Sequence, residues 1–158
     1  MKKLTFSLVI AALVALPSLT YAREVTFSTV MKNYRGEGAY VALYLVDANG
    51  NYQQTLWVAG EKTKYYKHLS GWAMGSKLTA AEYDGHTGAS VLSSKTLTVT
   101  VDIADEMIDA GYEVRVDTAV EDQRDNRSDA AVKLTTDGVG KTVAGRGYVQ
   151  SLSYMFKP

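Results

Sequence analysis

Across residues 95–102 the chain alternates without a break. Leu97, Val99 and Val101 fall on one face, and Thr96, Thr98 and Thr100 on the other. Successive side chains of a strand point to opposite sides of a sheet, so a period of two marks a strand with one buried face. The same period runs through Val25, Phe27, Thr29 and Met31, and through Tyr112, Val114, Val116 and Thr118. Residues 39–47 are dense in Val, Tyr and Leu and run into Asn49-Gly50, a pair that favours a tight hairpin turn. Residues 54–59 then read as the returning strand. Residues 131–135 and 148–156 complete the set, with Gly138, Gly140, Gly145 and Gly147 punctuating between them. About seven short strands with regular turns predict an all-β chain, an antiparallel sandwich of two sheets. One short helix is inserted. Tyr65, Leu69 and Trp72 recur at i, i+4 and i+7, which predicts a helix over about residues 61–72 ending near Gly71 and Gly75.

The first segment reads differently. Lys2 and Lys3 precede an apolar run at residues 4–16 broken only by Thr5 and Ser7. Pro17, Ser18 and Thr20-Tyr21-Ala22 follow. This is the pattern of a secretory signal peptide cleaved after Ala22, and the run is too short for a spanning helix of about 20 residues. Cleavage leaves residues 23–158 as a single sandwich domain with no transmembrane segment, exported from the cytoplasm.

Composition narrows the chemistry. Lys+Arg and Asp+Glu both number 17, a balance that argues against a nucleic-acid partner. Cysteine is absent, which excludes disulfides, thiolate nucleophiles, zinc–cysteine sites and iron–sulfur clusters. Residues 101–130 carry ten acids against Arg115, Arg124 and Arg127. A solvated face is the favoured reading of that region, and an acidic docking patch the sharper one. His68 and His86 lack the spacing of a metal pair. The polar stretch 122–129 lacks the glycine and terminal glutamate of a calcium loop and reads as solvated. No Gly-x-Ser-x-Gly elbow occurs, and no nucleophile–base pair can be named. These absences argue against a stand-alone enzyme.

One motif remains, Asp84-Gly85-His86-Thr87-Gly88-Ala89-Ser90, of the form Asp-x-x-Thr-Gly-Ala-Ser. It reads as a polar turn ending in an exposed hydroxyl. It resembles the flavinylation motif of extracytoplasmic flavoproteins, in which a secreted flavin transferase moves the FMN moiety of FAD onto the final Ser or Thr. The resemblance implies Ser90 as acceptor, with Ser in place of the more frequent Thr. It implies Asp84, Thr87, Gly88 and Ala89 as recognition residues, and FMN held through a phosphoester.

Further segments carry a second resemblance. These are Ala39-Tyr40-Val41-Ala42-Leu43-Tyr44-Leu45-Val46-Asp47, then Leu56-Trp57-Val58, Tyr65-x-x-x-Leu69-x-x-Trp72, and Ala110-Gly111-Tyr112-Glu113-Val114. Together with residues 84–90 they resemble the predicted periplasmic family catalogued as domain of unknown function 2271. That resemblance implies an immunoglobulin-like sandwich in the periplasm, working beside membrane-bound reductases and linked to iron reduction or uptake. Tyr66, Trp72 and Tyr83 lie near the motif in sequence and either stack on an isoalloxazine ring or pack the core; packing is the favoured reading. Two functions follow: a periplasmic electron-transfer flavoprotein carrying FMN on Ser90, or a non-redox immunoglobulin-like binding or assembly module in which residues 84–90 are only a loop.

Overall fold

The computed structural model describes residues 21–158; the proposed signal peptide lies almost wholly outside them. The predicted segments form strands: β1 (Ala22–Met31), β2 (Tyr40–Val46), β3 (Tyr52–Ala59), β5 (Thr96–Ala104), β6 (Glu113–Ala119), β9 (Val149–Phe156) and β7 (Asn126–Lys133), which starts well before the expected residues 131–135. Two further strands of two residues each, β4 (Thr87–Gly88) and β8 (Val143–Ala144), carry too little pattern to be read from sequence. Two sheets result, with strand orders β5-β1-β9-β8 and β4-β3-β2-β6-β7. Val25, Phe27 and Met31 of β1 face Val41, Leu43, Leu45, Val114 and Val116 across one shared core. Burying those apolar faces against each other drives the two sheets together.

The order β3-β2-β6-β7 is that of the C′, C, F and G strands of an immunoglobulin domain, and β1 with β5 takes the B–E pairing. The place beside β1 that the first strand fills in that arrangement is taken here by the last strand, β9, antiparallel to β1. The fold is therefore the expected all-β sandwich, with β9 in place beside β1.

The hairpin turn forms as the Asn49-Gly50 pair predicts. Gly50 adopts φ +81°, a conformation costly for other residues. The Asp47 carboxylate accepts hydrogen bonds from the backbone N–H groups of Asn49 and Asn51, both at 2.9 Å. These bonds, the backbone N–H of Asn51 first, hold its pKa below the ordinary aspartate value. A group with a lowered folded pKa stabilises fully above its unfolded value, and the contribution is lost as pH falls through the folded value. An NMR titration of Asp47 is expected to give a midpoint below about 3.9. A midpoint at or above that value contradicts the cap.

The inserted helix departs from expectation. Residues 63–68 form a 3-10 helix, Leu69 turns out of it with ψ 67°, and a true α-helix, α1 (Ser70–Ser76), begins only then. The cause is distant in sequence. The backbone N–H of Trp72 donates to the buried Asp117 carboxylate at 2.9 Å, and a Cβ on Gly71 would sit 2.9 Å from the same group. Docking on that carboxylate breaks the continuous helix that the spacing of Tyr65, Leu69 and Trp72 suggests. The insertion covers the outer face of the five-stranded sheet, burying Ala42, Tyr44, Val46 and Val58 under Tyr66, Leu69 and Trp72. This explains why β2 is buried on both faces instead of alternating.

Candidate functional site

The insertion delivers residues 84–90 to the free edge of the five-stranded sheet. After a short 3-10 turn at Ala80–Glu82, the Asp84 N–H bonds to the Ala80 carbonyl at 2.8 Å and the chain reverses through Gly85, φ +81°. Thr87 and Gly88 then pair with Val58 and Ala59 of β3, the one parallel pairing between named strands in the described residues. The N–H of Val58 donates to the His86 carbonyl at 2.8 Å, and that of Gly60 to the Gly88 carbonyl at 2.7 Å. Asp84, His86, Thr87 and Ala89 are exposed, while Gly88 and Ser90 are half-buried. The motif thus contains a two-residue edge strand, with Asp84, His86 and Thr87 turned to solvent and Ser90 turned toward Gly38. The two-residue pairing leaves it a weakly held segment that another protein can reach.

Two glycines permit this seat. Gly88 lies against the Trp57 indole, where a Cβ would come within 2.7 Å of Cζ2. On the far side, a Cβ on Gly38 would overlap the Ser90 hydroxyl and stand 3.0 Å from Ser90 Cβ. The chain just past Ser90 is pinned. Val91 and Ala39 exchange both backbone hydrogen bonds, at 2.8 and 2.9 Å. The Tyr34 hydroxyl accepts from the Ala39 N–H and donates to the Val91 carbonyl. Burial pushes the Tyr34 phenol above its ordinary value, which keeps that donor protonated. Gly38 was not singled out from sequence, and a glycine in a loop gives no signal of a partner so far along the chain.

Two cavities lie near the motif. Gly38, the residue that the Ser90 hydroxyl faces, forms part of the wall of a cavity of about 330 Å³ that also includes Tyr40, Tyr65 and His68. The Tyr40 and Tyr65 rings meet edge to face at 5.6 Å, and His68 Nδ1 lies 2.9 Å from Asp125 Oδ2. Before the motif, Gly85 and His86 border a shallower groove of about 570 Å³ with Trp57 and Asp102.

Several sequence expectations resolve here. Trp72 and Tyr66 are 0% and 1% exposed, so they pack the core and offer no ring face to a ligand. With Tyr83 they form an edge-to-face cluster at centroid distances of 5.2–6.0 Å. The Trp72 indole N–H donates to Thr55 at 2.8 Å, as a buried indole requires. The acidic region 101–130 is not uniformly solvated. Asp117 and Asp129 are buried, and the stretch read as a polar loop is in its second half strand β7. The Asp117 carboxylate accepts from Tyr44, Trp72 and Ser128. Acid counts along a chain do not reveal which carboxylates will find buried donors.

The family model described as Predicted periplasmic protein (DUF2271) matches residues 22–151, and the chain belongs to that family. No curated protein and no solved structure matches it. Among the described residues, no helix is long and apolar enough to cross a membrane.

Proposed function

We propose that this chain is a periplasmic electron-transfer flavoprotein that carries FMN covalently on Ser90, after export by its signal peptide and cleavage behind Ala22. The observation that carries the reading is the placement of the Asp-x-x-Thr-Gly-Ala-Ser segment. It sits on an exposed sheet edge, with Ser90 half-buried beside a glycine that leaves space for its hydroxyl. Asp84, Thr87 and Ala89 are solvent-facing, as recognition residues for a periplasmic flavin transferase must be.

The residues suit the attachment chemistry. Ser90 Oγ forms a bond to the FMN phosphorus of FAD, the pyrophosphate P–O bond breaks, and AMP leaves. The hydroxyl proton passes to a base of the transferase, which explains why no base is needed beside Ser90. Gly88 and Gly85 keep the backbone slim where a second active site must close over it. The Tyr34 clamp and the Val91–Ala39 bridge hold the acceptor on a fixed base. When bound, FMN would supply the electron-transfer chemistry, and the protein its placement and surroundings. A membrane-bound reductase is the proposed donor, and the exposed edge gives it a docking surface. Iron reduction or uptake is the proposed destination of the electrons.

Colour tests this directly. Co-produced with an active flavin transferase, the purified protein is expected to be yellow, with flavin absorbance that survives denaturation and desalting. A colourless product from cells in which a known acceptor protein is flavinylated overturns the reading and leaves a non-redox binding module in its place.

A further inference from the structure

We propose that the flavin ring tethered to Ser90 lies in the cavity of about 330 Å³ lined by Tyr40, Tyr65 and His68. It does not, on this proposal, lie in the groove beside Trp57. The inference rests on the flavoprotein reading and adds where the ring sits.

Three features favour this cavity. The first is proximity: the Ser90 hydroxyl faces Gly38, which forms part of the cavity wall, so one residue separates the acceptor from the cavity and the ribityl chain has only that residue to pass. The second is shape and lining. About 330 Å³ lies within the range for small-molecule sites, which combine aromatic walls with a few polar groups. Tyr40 and Tyr65 supply two half-buried rings, and Ala119 and Val120 a buried apolar floor. The third is order. Tyr40 is packed against Gly60, whose N–H holds the Gly88 carbonyl, so this wall is built onto the same edge as the motif. His68 is oriented by Asp125. The Trp57 groove borders Gly85 and His86, the other end of the motif, away from the acceptor hydroxyl.

The rim is acidic, with Glu37, Glu121, Asp122 and Asp125 around the opening. It disfavours a free phosphate and leaves the neutral ring system as the part of FMN that enters. The phosphate stays outside, at Ser90.

Flavin fluorescence tests the placement, because contact with a tyrosine ring quenches it. The full mature chain is flavinylated by co-production, and attached flavin is counted by absorbance and intact mass. Emission is then read per flavin. The bound flavin is expected to be dim, and Tyr65→Leu to brighten it severalfold, with Tyr40→Leu as an independent second variant. Trp57→Phe is expected to leave it dim. Brightening by Trp57→Phe with no response to either tyrosine variant overturns the placement while the flavoprotein reading stands. So does a flavin as bright in the parent protein as free FMN. An absent mass adduct removes both.

Discussion

Ser90→Ala is expected to abolish covalent flavin completely while the sandwich stays folded. The substitution removes one oxygen from a half-buried side chain at the end of an edge strand. Its neighbours are held by backbone bonds between Val91 and Ala39 that the change does not touch. Among the described residues the Ser90 hydroxyl gives up no protein hydrogen bond, and a substitution of this kind shifts stability by about 0.5–1 kcal/mol. Incorporation therefore falls to zero and thermal unfolding changes little. Ser90→Thr keeps the hydroxyl and is expected to keep the adduct. Flavin still covalently bound in Ser90→Ala, seen as a mass adduct, would move the attachment elsewhere and sink the assignment.

The largest stability effect is expected at a residue far from the motif. The Asp129 carboxylate is 1% exposed. It accepts from the Thr118 hydroxyl at 2.6 Å and from the backbone N–H groups of Gly147, Tyr148 and Val149 at 2.6, 2.7 and 3.1 Å. The three backbone donors lead into β9, so this one side chain ties β7 of the five-stranded sheet to the four-stranded sheet. Asp129→Ala leaves several buried donors unpaired, at about 1–3 kcal/mol each before relaxation. A net loss of about 3–5 kcal/mol is expected, which for a domain of this size lowers Tm by about 10 °C or more. Asp129→Asn keeps one acceptor oxygen and is expected to lose less. Urea unfolding of both variants checks this, and a loss under about 1 kcal/mol for Asp129→Ala contradicts the latch.

The strands were legible where a sheet has one wet face. In β1, Val25, Phe27, Thr29 and Met31 are buried and their neighbours are not, so the periodicity showed through. In β2 every residue from Val41 to Val46 is buried, and the segment was readable only by its composition and its Asn-Gly turn. The departures share a feature. The helix breaks at Leu69 where the next turn docks on Asp117, and β7 begins at Asn126 instead of within residues 131–135 because the polar stretch before it pairs with β6 and buries Asp129 there. Local patterning reports which side chains avoid water. It does not report which carboxylates will be buried and satisfied.

The candidate site divides along the same line. The run from Asp84 to Ser90 stands out as a string of residue types; the turn is exposed as expected, but the closing hydroxyl, expected to be exposed, is half-buried against Gly38. Its pairing with β3, its contact with Trp57, and the Gly38 and Tyr40 wall beside Ser90 depend on tertiary approach and left no trace in spacing. Glycines at such approaches are visible only when the neighbour is.

The central claim is chemical and is met most directly by the intact mass of the mature protein isolated from its native periplasm. The account predicts an added mass of FMN less one water, mapping to the peptide that contains Ser90. An unmodified mass, in cells shown to contain an active flavin transferase, would contradict it.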